Sequence, residues 1–157
     1  MDIIVKKANI NDVERIETIG KKAFHKFGLS TFGFEYNSES MRNRFTEWFN
    51  KDYCHIAIAE TNNNVVGFIV LYITPTVFSD RQSQIVAILM QPDATLDKVT
   101  QGRIVLKLIE YTEDLTMKLN ADMNAFSVMM KYDISGHLIR KGYKLSDLIY
   151  IKKRGGY

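Results

Sequence analysis

The stretch from Gln84 to Asn120 reads as an apolar run ending at Pro92, a polar loop and a long amphipathic segment. Ile85, Val86, Ala87, Ile88, Leu89 and Met90 show no polar alternation, which predicts a strand covered on both faces in a partly parallel sheet. After Gly102, the apolar positions Ile104, Val105, Leu108, Ile109 and Leu115 recur at helical spacing, with Asn120 as the C-terminal cap. A second apolar run, Met123–Met130, follows directly. Strand, crossover helix and strand predict a right-handed βαβ unit, whose strand ends and helix N-terminus form the default ligand site.

The pattern elsewhere supplies the other elements. Ile3, Ile4 and Val5 predict a short first strand ending at Lys6-Lys7. From Asn11, the residues Val13, Ile16, Ile19, Ala23, Phe24 and Phe27 fall three and four apart, an amphipathic helix capped by Asn9 or Asn11 and closed by Gly28. A loop of Gly, Ser and aromatic residues precedes a second helix, opened by Ser38 or Ser40, whose Met41, Phe45, Trp48 and Phe49 share a core face. Tyr53–Glu60 and Val65–Thr74 are rich in β-branched and aromatic residues, and the turn Thr61-Asn62-Asn63-Asn64 between them predicts an antiparallel hairpin. Pro75–Ser83 is expected as a loop. A short helix near Ile134–Arg140, stopped at Gly142, and a last strand near Leu145–Lys152 complete the chain. The order is β, α, α, β, β, β, α, β, α, β, in a single domain over residues 1–157, without repeats, low-complexity segments or linkers.

Composition narrows the class. At 157 residues the chain is long enough to bury a core without disulfide or metal staples. Cys54 is alone in an apolar context, which excludes an intramolecular disulfide and points to a reducing compartment. No apolar stretch reaches the roughly 20 residues of a membrane span, and the N-terminus lacks the layout of a signal peptide, so a cytoplasmic location is expected. Net charge is +3, and the basic end Lys152-Lys153-Arg154 falls short of the about four to eight clustered basic residues of an anion-binding patch. Nucleic-acid and membrane partners are not expected. His25, His55 and Cys54 lack metal-ligand spacing, so no metal site is expected, and no Ser, His and Asp set suggests a hydrolase.

The element order, the strand ending in Met90-Gln91-Pro92-Asp93, the loop ending in Gly102 and the segment Leu138-Ile139-Arg140-Lys141-Gly142-Tyr143 together resemble the GNAT superfamily of N-acetyltransferases. The resemblance covers nearly the whole chain. It implies an α/β (α+β) fold: a mixed, mostly antiparallel central sheet flanked by helices, with a splayed parallel strand pair. The end, Gly142-Tyr143-Lys144-Leu145 followed by Asp147-Leu148-Ile149-Tyr150-Ile151-Lys152, is similar to small acetyltransferase-like proteins of tailed bacteriophages, which would place the chain in a virion. The family implies acetyl-CoA as co-substrate and a small-molecule or protein amine as acceptor; a homo-oligomer or virion proteins are the macromolecular partners in view. The two N-terminal helices and the loops around Thr31–Asn37 and Pro75–Ser83 would choose the acceptor.

By that resemblance Leu89 and Met90 match the splayed positions that bind the pantetheine arm. Lys98, Val99, Thr100, Gln101, Gly102 and Arg103 match the segment that binds the pyrophosphate, where free N–H groups and the helix dipole favour an anion. The family's loop reads Gln or Arg, two residues, Gly, one residue, then Gly or Ala; here those positions are Asp97, Thr100 and Gly102. One glycine survives, the leading residue is acidic, and the loop is two residues longer. Lys98 and Arg103 are the cations that could restore positive charge.

Acetyl transfer needs a neutral amine, donors for a developing oxyanion and a leaving thiolate. The N–H of Met90 is the candidate oxyanion donor. The strand carries no carboxylate base. Gln84, its strongly polar residue, could orient a water, and Asp93 is expected as an exposed turn residue. The family's frequent tyrosine acid matches Leu138. Neighbouring His137 is the candidate acid, with an ordinary pKa near 6.5 but a direction about 100° away on the helix. Tyr132 and Tyr150 are further candidates. A catalytically silent binding or structural module is the competing expectation.

Overall fold

The structure, a computed structural model, describes residues 2–76, 79–127 and 134–145, apart from the side chains of residues 31 and 32. Its elements are β1 (Ile4–Lys7), α1 (Val13–Lys26), α2 (Ser38–Phe49), β2 (Cys54–Thr61), β3 (Asn64–Thr76), β4 (Ser79–Pro92), α3 (Lys98–Lys118), β5 (Met123–Phe126) and α4 (Ser135–Arg140). Short 3-10 turns at Ile10–Asp12 and Leu29–Phe32 flank α1. The expected order holds through α4. The last expected strand lies outside the described residues except for Leu145, which is not in a strand, and Tyr132, Tyr150 and the basic end also lie outside them.

The described strands form one sheet in sequence order, β1-β2-β3-β4-β5. Its pairs are antiparallel except β4 with β5, which are parallel. One face packs on α3: Ala57, Ile69, Leu71, Ile85 and Ala87 meet Ile104 and Leu108. The other packs on α1 and α2, where Ile58, Phe68 and Val70 meet Ile16, Ile19 and Phe45. The unalternating run in β4 thus has a physical cause, since apolar layers cover both faces.

Local chemistry accounts for the element ends. Asn9 and Asp12 form a reciprocal capping box before α1, and Asn37 caps α2 by accepting from Ser40 N–H. The β2–β3 turn puts Asn62 and Asn63 at φ 48° and 62°, as a type I′ hairpin turn requires. At α4, Gly142 takes φ 89°, Tyr143 N–H donates to the Leu138 carbonyl and Gly142 N–H to that of Ile139. This is a Schellman cap, and its usual apolar contact is the packing of Tyr143 with Leu138.

β1 ends at Lys7, as expected, and two other boundaries correct the sequence reading. Pro75–Ser83 is not a loop: β3 extends to Thr76, β4 begins at Ser79, and Pro75 pairs with Ser83. Proline is tolerated there because β2 pairing ends at Cys54↔Tyr72, leaving that side of β3 an edge. Finally, α3 begins at Lys98 rather than after Gly102, because Asp97 caps it by accepting from Thr100 N–H. Gly102 is the fifth helical residue, and its N–H belongs to the helical ladder.

Candidate functional site

The site is set by one extra residue in β4. Leu71 pairs with Ala87 but Val70 with Leu89, so Ile88 is bulged out of the ladder. The bulge resets the facing of side chains: Ile85 and Ala87 point to α3, Ile88 and Leu89 both pack on the α1/α2 layer, and Met90 returns to α3. β5 follows β4 from Gln84↔Met123 to Ala87↔Phe126, with a last bond from Ser127 N–H to the Ala87 carbonyl. Beyond Ala87, among the described residues, no strand pairs on that side of β4. The expected parallel pair is thus formed by β4 and β5, with Ala125 and Phe126 beside Val86 and Ala87, and residue 128 lies outside the described residues.

Backbone direction follows from alternation. Asp93 N–H donates to the Val66 carbonyl, so the groups of Gln91 and Leu89 also face β3, and the N–H and carbonyl of Met90 face the β5 side of the strand. Met90 packs on an apolar cluster of Val105 and Ile109 of α3 with Ile134 and Leu138 at α4, together with Phe126 and Tyr143.

The β4–α3 loop is braced on α1. Lys22 Nζ pairs with Asp93 Oδ2 at 2.8 Å, Lys26 Nζ donates to the Ala94 carbonyl, and Gln101 Nε2 donates to the carbonyls of Ala94 and Leu96. Asp93 is accordingly buried, not exposed as expected. Burial raises the pKa of its carboxyl, but the Lys22 ammonium and the Thr95 N–H and hydroxyl outweigh that and hold it below the usual range. An ion-paired, acidified carboxylate is a poor base. Gly67 sets how closely α3 lies over the end of β4: a Cβ there would meet Ile104 Cγ2 at 2.6 Å and the Gln91 carbonyl oxygen at 3.2 Å.

The expected site residues divide. Leu89 and Met90 lie near the end of β4 with their side chains on opposite faces, Met90 on the α3 side, and Lys98, Val99 and Thr100 occupy the first turn of α3. The Thr100 N–H is taken: Asp97 Oδ1 accepts it at 3.0 Å, and the Thr100 hydroxyl and N–H hold the Asp97 carboxyl below its usual range. Gln101 is buried and faces the loop, Gly102 has open space where a side chain would begin, and Arg103 is exposed. Gln84 lies apart. Its amide donates toward the Thr74 hydroxyl and the Pro75 carbonyl, and it stands six residues before Met90 on the strand, about 20 Å away. Leu138 is buried in the apolar cluster between α3 and α4. His137 is half-buried, and its Nδ1 lies 2.8 Å from Arg140 Nη2. A guanidinium only donates, so Nδ1 accepts and the ring proton sits on Nε2.

The sequence reading missed Glu17. It is buried, and Tyr36 Oη donates to its Oε1 at 2.8 Å. The available signal was an acidic residue on the apolar side of α1, next to Ile16 and four after Val13. Among the described residues there is no cluster that could hold a metal ion, and no helix is long and apolar enough to cross a membrane.

Neither protein-family models nor curated protein sequences match the chain. Solved structures do. A transcriptional regulator from Bacillus halodurans C-125 superposes with a TM-score of 0.77 at 13% identity, over 97% of this chain and 99% of that one. A GNAT family acetyltransferase from Staphylococcus aureus gives 0.69 at 16%, over 98% and 99%. An aminoglycoside acetyltransferase from an uncultured soil metagenomic sample gives 0.68 at 17%, over 99% and 100%. The chain has the GNAT fold over nearly its full length: a mixed α+β sheet flanked by helices, with β4 and β5 as its parallel pair.

Proposed function

We propose that the chain transfers an acyl group, acetyl in the first instance, from a coenzyme A thioester to an amine. The observation that carries this reading is the bulge at Ile88, beyond which no described strand pairs with the Met90 side of β4. The N–H and carbonyl of Met90 face that side, where an amide-bearing pantetheine arm would add as a short strand. The residues fit that arm. Leu89 and Met90 would line it, and the first N–H groups of α3, at Lys98 and Val99, would take the diphosphate, with Lys98 and Arg103 as nearby cations. Gly102 leaves room beside them.

The chemistry asked of the protein is modest. The amine nitrogen attacks the thioester carbonyl, the C–S bond breaks, and an ammonium acceptor yields amide, thiol and one proton released to solvent. Met90 N–H is the donor for the developing oxyanion, a contribution of about 10² to 10³ in rate at such sites. Leu138 cannot protonate the leaving thiolate. His137, whose Nδ1 accepts from Arg140, would act through Nε2.

A second reading, a catalytically silent binding or structural module such as a virion component, is favoured by Asp97. Its carboxylate already occupies the Thr100 N–H where an anion would bind. Calorimetric titration with acetyl-CoA, followed by thiol release with a panel of primary amines, separates the two. Stoichiometric binding with turnover supports acyl transfer. Binding without turnover supports the silent module, and no binding contradicts both the cofactor assignment and the activity.

A further inference from the structure

Two lysines one turn apart on α1 reach the loop that joins β4 to α3. Lys22 Nζ lies 2.8 Å from Asp93 Oδ2, and Lys26 Nζ donates to the carbonyl of Ala94, the next residue and a fully buried one. Asp93 divides its carboxylate between two tasks. Oδ1 accepts from the Thr95 N–H at 2.9 Å and from the Thr95 hydroxyl at 2.7 Å, which folds the loop on itself, while Oδ2 ties the folded loop to α1. The Asp93 N–H is already held by the Val66 carbonyl, so what the ion pair sets is the carboxylate and, through it, the turn at Thr95. The helix offers a fixed base. At its start Arg15 bonds Asp12, Glu60 Oε1 and the Asn63 carbonyl, and Ile16 and Ile19 pack in the layer with Ile58 and Phe68 of the sheet. From the other side Gln101 Nε2 of α3 donates to the carbonyls of Ala94 and Leu96. The loop is thus held from both helices.

We propose that Lys22 is a positioning residue for the acyl donor: through Asp93 it fixes the spacing between Met90, which would take the pantetheine arm, and the first N–H groups of α3, which would take the diphosphate. The inference rests on the acyl-transfer reading. A donor that spans both places gains from the two together only if they stand at the separation its own bonds impose, and a loop free to shift gives up part of that gain as ordering cost. Lys22 touches no donor atom in this role. Its ammonium is paired with Asp93, and Lys98 and Arg103, on α3 itself, are the cations left for the diphosphate. The Lys22 side chain is 40% exposed, so replacing it opens no cavity in the core.

The test is titration of the full chain with acetyl-CoA and with S-acetylpantetheine, which carries the arm and the thioester but no diphosphate, following the Met90 amide resonance. The unaltered protein should bind acetyl-CoA at least about fivefold more tightly than the truncated donor, the size of a charge–dipole contribution at a helix start. Lys22→Met should remove most of that difference by weakening acetyl-CoA while leaving S-acetylpantetheine unchanged, and Lys22→Arg, which can still pair with Asp93, should restore it. Asp93→Asn keeps the acceptor for Thr95 but loses the charge that holds Lys22, and should weaken acetyl-CoA in the same way. A lysine that met the diphosphate directly would behave oppositely, since Asp93→Asn would release it. Unchanged acetyl-CoA affinity in Lys22→Met, equal weakening of both donors, as general loosening of the fold would give, or tighter acetyl-CoA binding by Asp93→Asn overturns the proposal. The Asp93→Asn result decides if Lys22→Met does not fold. Equal affinity of the unaltered protein for the two donors overturns this inference and leaves the acyl-transfer reading standing, whereas binding of neither overturns both.

Discussion

At Gly67, one added methyl group would meet the branched Cγ2 of Ile104, which is fully buried, and main-chain atoms of Gln91 and Pro92 that are fixed in the sheet. None can yield cheaply. Gly67→Ala is expected to destabilise the fold by about 1 to 3 kcal/mol, the usual size of core overpacking, read as a lower urea midpoint. Asp97 works in the opposite sense on ligand and fold. Asp97→Ala removes the cap of α3, so the melting temperature should fall, yet it frees the Thr100 N–H and removes an acidic group facing the diphosphate. Acetyl-CoA affinity should rise by up to about fivefold, as surface charge–dipole effects do. Asp97→Ser, which keeps a cap without charge, should recover the stability and keep most of the affinity gain. Weaker binding by both variants would mean that Asp97 contributes to the site rather than competing for it.

Among elements, the β2–α3 contact is the pH-sensitive one. His55 Nε2 lies 2.7 Å from Tyr111 Oη, and burial, with the nearby Lys7 and Lys118 ammonium groups, lowers the His55 pKa to about 4. An unfolded histidine titrates near 6.5, so between these values the unfolded chain binds more protons. The contribution of His55 is therefore complete above about pH 6.5 and is lost as the pH falls toward 4. Because the ring is partly exposed, the loss should be of order 1 kcal/mol. His55→Gln should remove that part of the slope in urea unfolding measured from pH 7 to 4, and an unchanged slope would contradict it. At α4, Leu138 packs with Val105, Ile109 and Ile134. Leu138→Tyr should thus overpack this cluster and lower the melting temperature rather than install a general acid, and a thermally unaltered variant with raised turnover would contradict that.

For the molecule as a whole, the order of elements was legible because helical and strand periods are written in the apolar positions. The run Ile85–Met90 announced a strand covered on both faces. The bulge at Ile88 was not legible, since one extra residue in an unbroken apolar run leaves no mark in hydropathy. The start of α3 was misplaced by weighting Gly102 over Asp97, although an Asp three residues before Thr100 is an N-cap signal. Asp93 was expected to be exposed because its partner, Lys22, lies 71 positions away in sequence. The burial of Glu17 shows only once α1 brings it to Tyr36. The acyl-transfer reading depends on whether the β5 side of β4, at Met90, receives an acyl-CoA. Amide hydrogen exchange with and without acetyl-CoA tests this most directly: the account predicts that exchange slows at least about tenfold at Met90, with slowing also at Lys98 and Val99, and unchanged exchange at Met90 under saturating acetyl-CoA would contradict it.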